Sequence, residues 1–182
     1  PLRQATVSIS PGNTTAMFDG GQSDLAFQTG ATAGTITFTL TLNGGATPAA
    51  QATLIIAPST VNISSATSIR LLGGIISNGE PAGVPVGGEV DISISASDNT
   101  YSASQLAFTF FDQKGATMQP GVIRVDATSD FQLYFKSTGT GGAFGLLAKF
   151  TVTGDVTQII STDMAITNSV GVTTTQHIII GN

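Results

Sequence analysis

The residues able to carry chemistry are few and far apart. The single histidine, His177, sits among Thr175, Gln176 and Ile178 near the end of the chain. There is no cysteine, which excludes thiol nucleophiles, disulfides and cysteine–metal sites. A serine triad would have to use His177 on a terminal strand, and no Gly-x-Ser-x-Gly elbow is present. An exposed strand histidine is the simpler reading. Asp19-Gly20-Gly21-Gln22-Ser23-Asp24 puts two carboxylates in a glycine-rich loop, and calcium takes carboxylate and carbonyl oxygens of that kind. The EF-hand spacing is absent, and a solvated turn competes with the calcium reading. Glu89 and Asp91 alternate along one predicted strand, so they share a face. With Asp98, Asp126 and Asp130 they would form an acidic cation site if their loops converge. Two carboxylates about 5–10 Å apart also suit glycoside hydrolysis. With no tryptophan and only Tyr101 and Tyr134 as tyrosines, the sugar platform for that work is missing. Calcium at Asp19, Asp24, Glu89 or Asp91 is therefore the one cofactor weighed, no other is expected, and the chain reads as non-enzymatic. Gly83–Gly88 and Gly139-Thr140-Gly141-Gly142 open no helix, so they lack the strand–loop–helix of a phosphate cradle. Asn13-Thr14-Thr15 and Asn62-Ile63-Ser64 fit the N-glycosylation pattern, which arises often by chance in a Ser/Thr-rich chain.

Composition narrows the partners. Only 9% of the 182 residues are charged, against roughly a quarter in ordinary soluble domains. The six basic residues (Arg3, Arg70, Lys114, Arg124, Lys136 and Lys149) are scattered, and the formal net charge is −5. Nucleic acid and anionic membrane surfaces both need clustered basic residues, so neither is expected. No apolar run approaches the ~20 residues of a membrane-spanning helix. The opening segment PLRQATVSIS has no apolar core of a signal peptide, as in a mature secreted chain or a piece of a longer one.

The elements that must position these residues are strands. Thr35-Ile36-Thr37-Phe38-Thr39-Leu40-Thr41-Leu42 alternates threonine with an apolar residue, the pattern of a strand with one buried face. Val90–Ser95, Leu106–Phe110, Phe150–Thr153 and Met164–Thr167 repeat it. The expected strands are 4–10, 14–18, 24–28, 34–43, 51–57, 68–77, 88–96, 105–112, 121–126, 145–153, 157–167 and 172–180. Turn residues such as Pro11-Gly12-Asn13, Asn43-Gly44-Gly45, Gly73-Gly74, Asn78-Gly79, Lys114-Gly115 and Val170-Gly171 fall between them. Ala127–Lys136 reads equally as a helical turn capped by Asp126 or Ser129, or as a strand carrying Phe131, Leu133 and Phe135. Phe108 and Phe110 share one face with Phe144 and Phe150 expected opposite them, while Phe111 points the other way. The fold class is all-β: an antiparallel Ig-like or fibronectin-III-like sandwich. Two units in tandem are expected, a partial one over 1–58 and a full one over 62–182, joined by a polar stretch at 57–65 that follows Pro58.

The stretches Thr15–Phe18, Phe27–Thr37 and Ile56-Ala57-Pro58 resemble the end of an Ig-like module of large secreted bacterial surface proteins. Ala107–Phe110, Ala143-Phe144-Gly145, Phe150–Asp155 and Ile166–Gly171 resemble the module that follows it. The resemblance implies an extracellular or cell-surface module without catalytic residues. Leu133-Tyr134-Phe135-Lys136 departs from it, since those modules carry a Trp-Tyr pair there. In such modules further strands precede the segment matching 4–18, so the first sheet is expected to lack one or more. A missing strand leaves open backbone groups that a partner strand can fill. The expectation is a structural protein that associates head to tail, as a homo-oligomer or filament, through Ala5, Val7 and Ile9 or through Ile178, Ile179 and Ile180. The alternative is a monomeric spacer, or a ligand- or glycan-binding module of a larger adhesin.

Overall fold

A computed structural model describes residues 4–41, 50–73, 87–138, 141–173 and 175–181. The turns expected at Asn43-Gly44-Gly45 and Asn78-Gly79, with the first part of Gly83–Gly88, lie outside the described residues. The chain divides into two compact units, Pro1–Gly30 and Ala31–Asn182.

The first unit holds one short ribbon. Strand β1 (Val7–Ser8) pairs antiparallel with β2 (Met17–Phe18). The expected strands 4–10 and 14–18 are reduced to these two pairs. The strand expected at 24–28 does not form. Leu25-Ala26-Phe27 has the alternation, but no strand among the described residues pairs with it in a ladder, and alternation alone does not make a strand without a ladder partner.

The second unit opens with a longer ribbon, β3 (Gly34–Leu40) against β4 (Ala50–Ile56). Ile36 lies opposite Leu54 and Phe38 opposite Ala52, which gathers the apolar residues on one face. Thr37 opposite Thr53 and Thr39 opposite Gln51 make the other face mostly polar and uncharged, with Ile55 exposed on it opposite Thr35.

The rest is an antiparallel sandwich. One sheet has the order β5 (Asn62–Leu72), β6 (Gly88–Ser97), β9 (Ala143–Val152). The facing sheet has the order β11 (Gln176–Ile179), β10 (Ser161–Thr167), β7 (Gln105–Phe111), β8 (Thr117–Asp126). Period-two alternation fills the space between them. Val90, Ile92 and Ile94 of β6 meet Phe108 of β7 and Met164 and Ile166 of β10 in one fully buried cluster. Phe150 of β9 reaches across edge-to-face, with ring centroids 4.9 Å from Phe108 and 5.0 Å from Phe110. Such aromatic pairs add to the burial of apolar area. Phe111 points outward, toward His177, as expected.

Two elements depart from the sequence reading, and a third settles a choice it left open. Strand β5 begins at Asn62, inside the stretch read as a linker. Its register shifts between Ile63 and Ser65, where Ser64 donates to the Ser95 carbonyl. This bulge inserts one residue, so Ile63 and Ala66, three apart, both face the core. Residues 128–138 form a helix, α1 (Thr128–Thr138), not a strand. Phe131 and Phe135, four apart, meet Phe144 edge-to-face with ring centroids 5.0 and 5.9 Å away; helical spacing i, i+4 puts them on one face. A 3₁₀ turn (Val156–Gln158) precedes β10, where a continuous strand 157–167 was expected.

Phe108→Ala removes the largest fully buried side chain. Its expected cost is about 3–5 kcal/mol of unfolding free energy, read from urea denaturation, while outward-facing Phe111→Ala costs under about 1 kcal/mol.

Candidate functional site

Four of the eleven acidic residues build turns. Three share the pattern Asp-x-Thr. In Asp98-Asn99-Thr100, the Thr100 N–H and hydroxyl both donate to Asp98 Oδ1, at 3.0 and 2.6 Å. In Asp126-Ala127-Thr128 the same two bonds are 3.0 and 2.6 Å, so Asp126 holds the first N–H of α1. In Asp155-Val156-Thr157 they are 2.9 and 2.6 Å, and Asp155 caps the 3₁₀ turn. Asp112 accepts from the N–H groups of Lys114 and Ala116, both at 2.8 Å. A short carboxylate two residues before a threonine binds the backbone locally. This recurring signal was in the sequence and explains why the acids scatter along the fold.

Asp98 is the centre of a larger junction. It is fully buried at the end of β6. Besides Thr100, its carboxylate accepts from the N–H groups of Ser102 and Ala103, both at 2.7 Å, and from Asn168 Nδ2 at 3.0 Å. Its own N–H donates to the Gly142 carbonyl at 2.9 Å. Burial alone would raise this carboxyl, but the donors from Thr100, Asn168 and Ser102 outweigh it and hold Asp98 below the ordinary carboxylate range. Asn168 also donates to the Ser59 carbonyl at 2.8 Å, and its Oδ1 accepts from Val170 and Gly171. Asn99 accepts from the N–H of Ser59 at 3.0 Å and donates to the Ala57 carbonyl at 2.9 Å. The Asn99 carbonyl accepts from Ala33 N–H at 2.8 Å, and Tyr101 hydroxyl meets Thr32 Oγ1 at 2.9 Å. The starts of β3 and β9, the segment after β4 and the ends of β6 and β10 are thus tied to one seven-residue turn. A carboxylate with five donors has no lone pair left for a metal or a proton transfer.

The sequence-predicted candidates fall as follows. Asp19 and Asp24 lie in the exposed loop after β2, closed by Phe18 N–H donating to the Gln22 carbonyl at 2.8 Å. Glu89 and Asp91 do share a face, the outer one, where Lys149 of β9 bridges them at 2.8 and 3.0 Å. Burial tends to raise Asp91, but Lys149 and Glu89 hold it below its usual range, and the two carboxylates hold Lys149 above its own. Asp98 and Asp126 are not brought to this pair. Among the described residues no three acidic or histidine side chains converge as metal ligands. His177 meets Asp163 across the β10–β11 ladder, Nδ1 to Oδ1 at 2.7 Å, on the outer face of the sheet. Asn13 is exposed in a turn, and Asn62 is exposed as the first residue of β5.

The self-association candidates separate clearly. Ile178 and Ile180 are buried in the chain's own core, β11 pairs with β10, and only Ile179 faces out. The carboxy-terminal run is therefore a structural strand of its own sandwich. Ala5 and Ile9 are exposed, and Val7 is held only by its pair with Phe18. The surfaces that sequence reading did not locate are the β3–β4 ribbon and the margin between β8 and β9. The geometry defines an all-β sandwich with open strand edges. No protein-family model and no curated protein matches the chain.

Asp98→Ala leaves the N–H groups of Thr100, Ser102 and Ala103 without an acceptor; the expected cost is about 3–5 kcal/mol, measured by thermal or urea unfolding. The lowered carboxyls also set a pH dependence. A folded-state value below the unfolded one, about 3.9 for aspartate, contributes stability that is present above that pH and is lost as pH falls through the folded value. Asp91, Asp98, Asp126 and Asp155 all act in this direction. Unfolding followed from neutral pH downward should show a plateau that gives way below about pH 4, with the fall shallower in Asp98→Asn than in the parent.

Proposed function

We propose that this protein is a non-enzymatic structural module that associates with further copies of itself by β-strand pairing, in an extracellular surface or filament assembly. The observation that carries the reading is the β3–β4 ribbon. It is a two-stranded sheet whose outer edges have no ladder partner among the described residues. Neither strand contains a charged residue. Edge strands that must stay apart carry lysine, proline or inward charges, and this ribbon has none of them. Its apolar face keeps Leu40 44% and Leu54 39% exposed. A lone two-stranded ribbon is marginal in water, and a third strand with an apolar cover stabilises it. The junction at Asp98 and Asn99 holds the ribbon at a fixed exit from the sandwich, as a connecting surface requires.

The strand order supports the Ig-like part of the reading. Taken in chain order, the first, second and fifth strands of the sandwich share a sheet and face the seventh, sixth, third and fourth. An Ig-like Greek key distributes its strands in this way, with the fourth beside the third. The resemblance to modules of bacterial surface proteins is what supports an extracellular place.

Sedimentation velocity across a concentration series tests the reading. The expected result is a mass that rises with concentration above the 18.4 kDa of one chain. Leu54→Lys, exposed and on the ribbon, should weaken association by about tenfold or more without lowering the unfolding temperature of the sandwich. A chain that sediments as a monomer at every concentration overturns the proposal and favours a spacer or ligand-binding module.

A further inference from the structure

The two margins of the sandwich differ. On one side the sheets are joined: Arg70 N–H of β5 donates to the Gly181 carbonyl at 3.1 Å, and Ser68 Oγ donates to the Ile179 carbonyl at 2.8 Å. On the other side β9 ends one sheet and β8 ends the other, and neither has a further ladder partner among the described residues. Between them runs a groove of about 400 Å³. Leu106, Phe108, Val125, Phe131, Leu146 and Phe150 line it, and α1 closes one end. Val125 faces into it from β8, opposite Leu106 in the ladder, and is 39% exposed. Leu146, Ala148 and Phe150 are the inward residues of β9, yet remain only partly buried. The groove thus offers what strand addition needs, an open backbone edge beside a row of apolar sockets.

We infer that this groove accepts the segment Gln4–Ser10 of a second copy as an added strand on β9. This rests on the self-association reading and names the contact. The segment Gln4-Ala5-Thr6-Val7-Ser8-Ile9-Ser10 has apolar side chains at every second position and no charge. Paired with β9, Ala5, Val7 and Ile9 enter the groove while Thr6, Ser8 and Ser10 face water. Its seven residues match the seven from Phe144 to Phe150, roughly 20 Å of strand. In its own chain only Val7 and Ser8 are in a ladder, and Ile9 is 60% exposed. The competing donor is more firmly held: Ile178 and Ile180 fill their own core beside the four-pair ladder of β11 with β10, whereas Gln4–Ser10 gives up only the two pairs of β1 with β2. The groove also has Asp130 and Lys149 on its lining, and an uncharged donor brings no further ion to be desolvated against the apolar residues between them.

Hydrogen exchange and sedimentation test this together. A synthetic peptide of residues 4–10, added in excess, should slow exchange of the outer-edge amides of β9 by about tenfold or more. It should also shift the full chain toward lower mass by competition. The double variant Val7→Asp, Ile9→Asp, altered outside the sandwich core, should fold normally and associate about tenfold more weakly or worse. Unchanged β9 exchange with the peptide, together with a double variant that associates as tightly as the parent while Leu54→Lys does not, overturns the groove assignment and leaves the self-association reading standing. A parent chain that is monomeric at every concentration overturns both. A double variant that has lost its fold is recognised by its unfolding curve, and the peptide experiment on the parent chain then decides.

Discussion

A buried carboxylate organises this protein. Asp98 lies at the end of a core strand, out of contact with water, and an unpaired charge there would cost several kcal/mol. The cost is offset by five donors arranged around it, three of them backbone N–H groups of the next few residues. The turn cannot take another shape without stranding the charge. Asn168, Gly142, Asn99 and Ser59 are fixed in consequence, because each binds the turn or the aspartate itself. Gly142 makes the dependence plain. Its φ of +88 is left-handed, and a Cβ there would collide with the Asp98 carbonyl, so β9 can begin where it does only with glycine at that position.

The rest of the chain shows how little charge a β-sandwich needs. Its outer faces mix threonine and serine, whose branched or short polar side chains suit a pleated surface without ions, with exposed apolar residues such as Ile69, Leu147 and Ile179. Four acids build turns, and Glu89, Asp91 and Lys149 form a cluster of opposite charge on an outer face. A surface so sparing of lysine and glutamate carries few of the charges that keep strand edges apart. Among the described residues, the ribbon of β3 and β4 and the groove beside β9 are places where sparse charge meets an open strand edge.

What could be read from the sequence follows from which interactions are local. Strands with intact alternation, such as Val90–Ser95 and Leu106–Phe110, were legible because period two needs no information from elsewhere in the chain. Strand β5 was misread because the bulge at Ser64 breaks that period, and its need arises from the partner, β6. The helix at Thr128 was ambiguous because Phe131, Leu133 and Phe135 fit a strand, while Phe131 and Phe135 also fit a helix. Phe144, which decides between them, is distant in sequence. The acidic residues were singled out for their chemistry, yet the Asp-x-Thr spacing that reveals their actual task is a local signal and was present throughout. The groove was not legible at all, since it is made by the absence of a strand between two others.

The closed margin of the sandwich has a mechanical meaning. Ser68 meets the chain at Ile179 and Arg70 meets it at Gly181, so β5 and the last strand run side by side in the same direction. If the chain is held under tension, the pull enters at Asn62 and leaves beyond Gly181, at opposite ends of this pair. The load then lies along the strands, in shear, and the bonds of Ser68 and Arg70 must give way together instead of unzipping one after another.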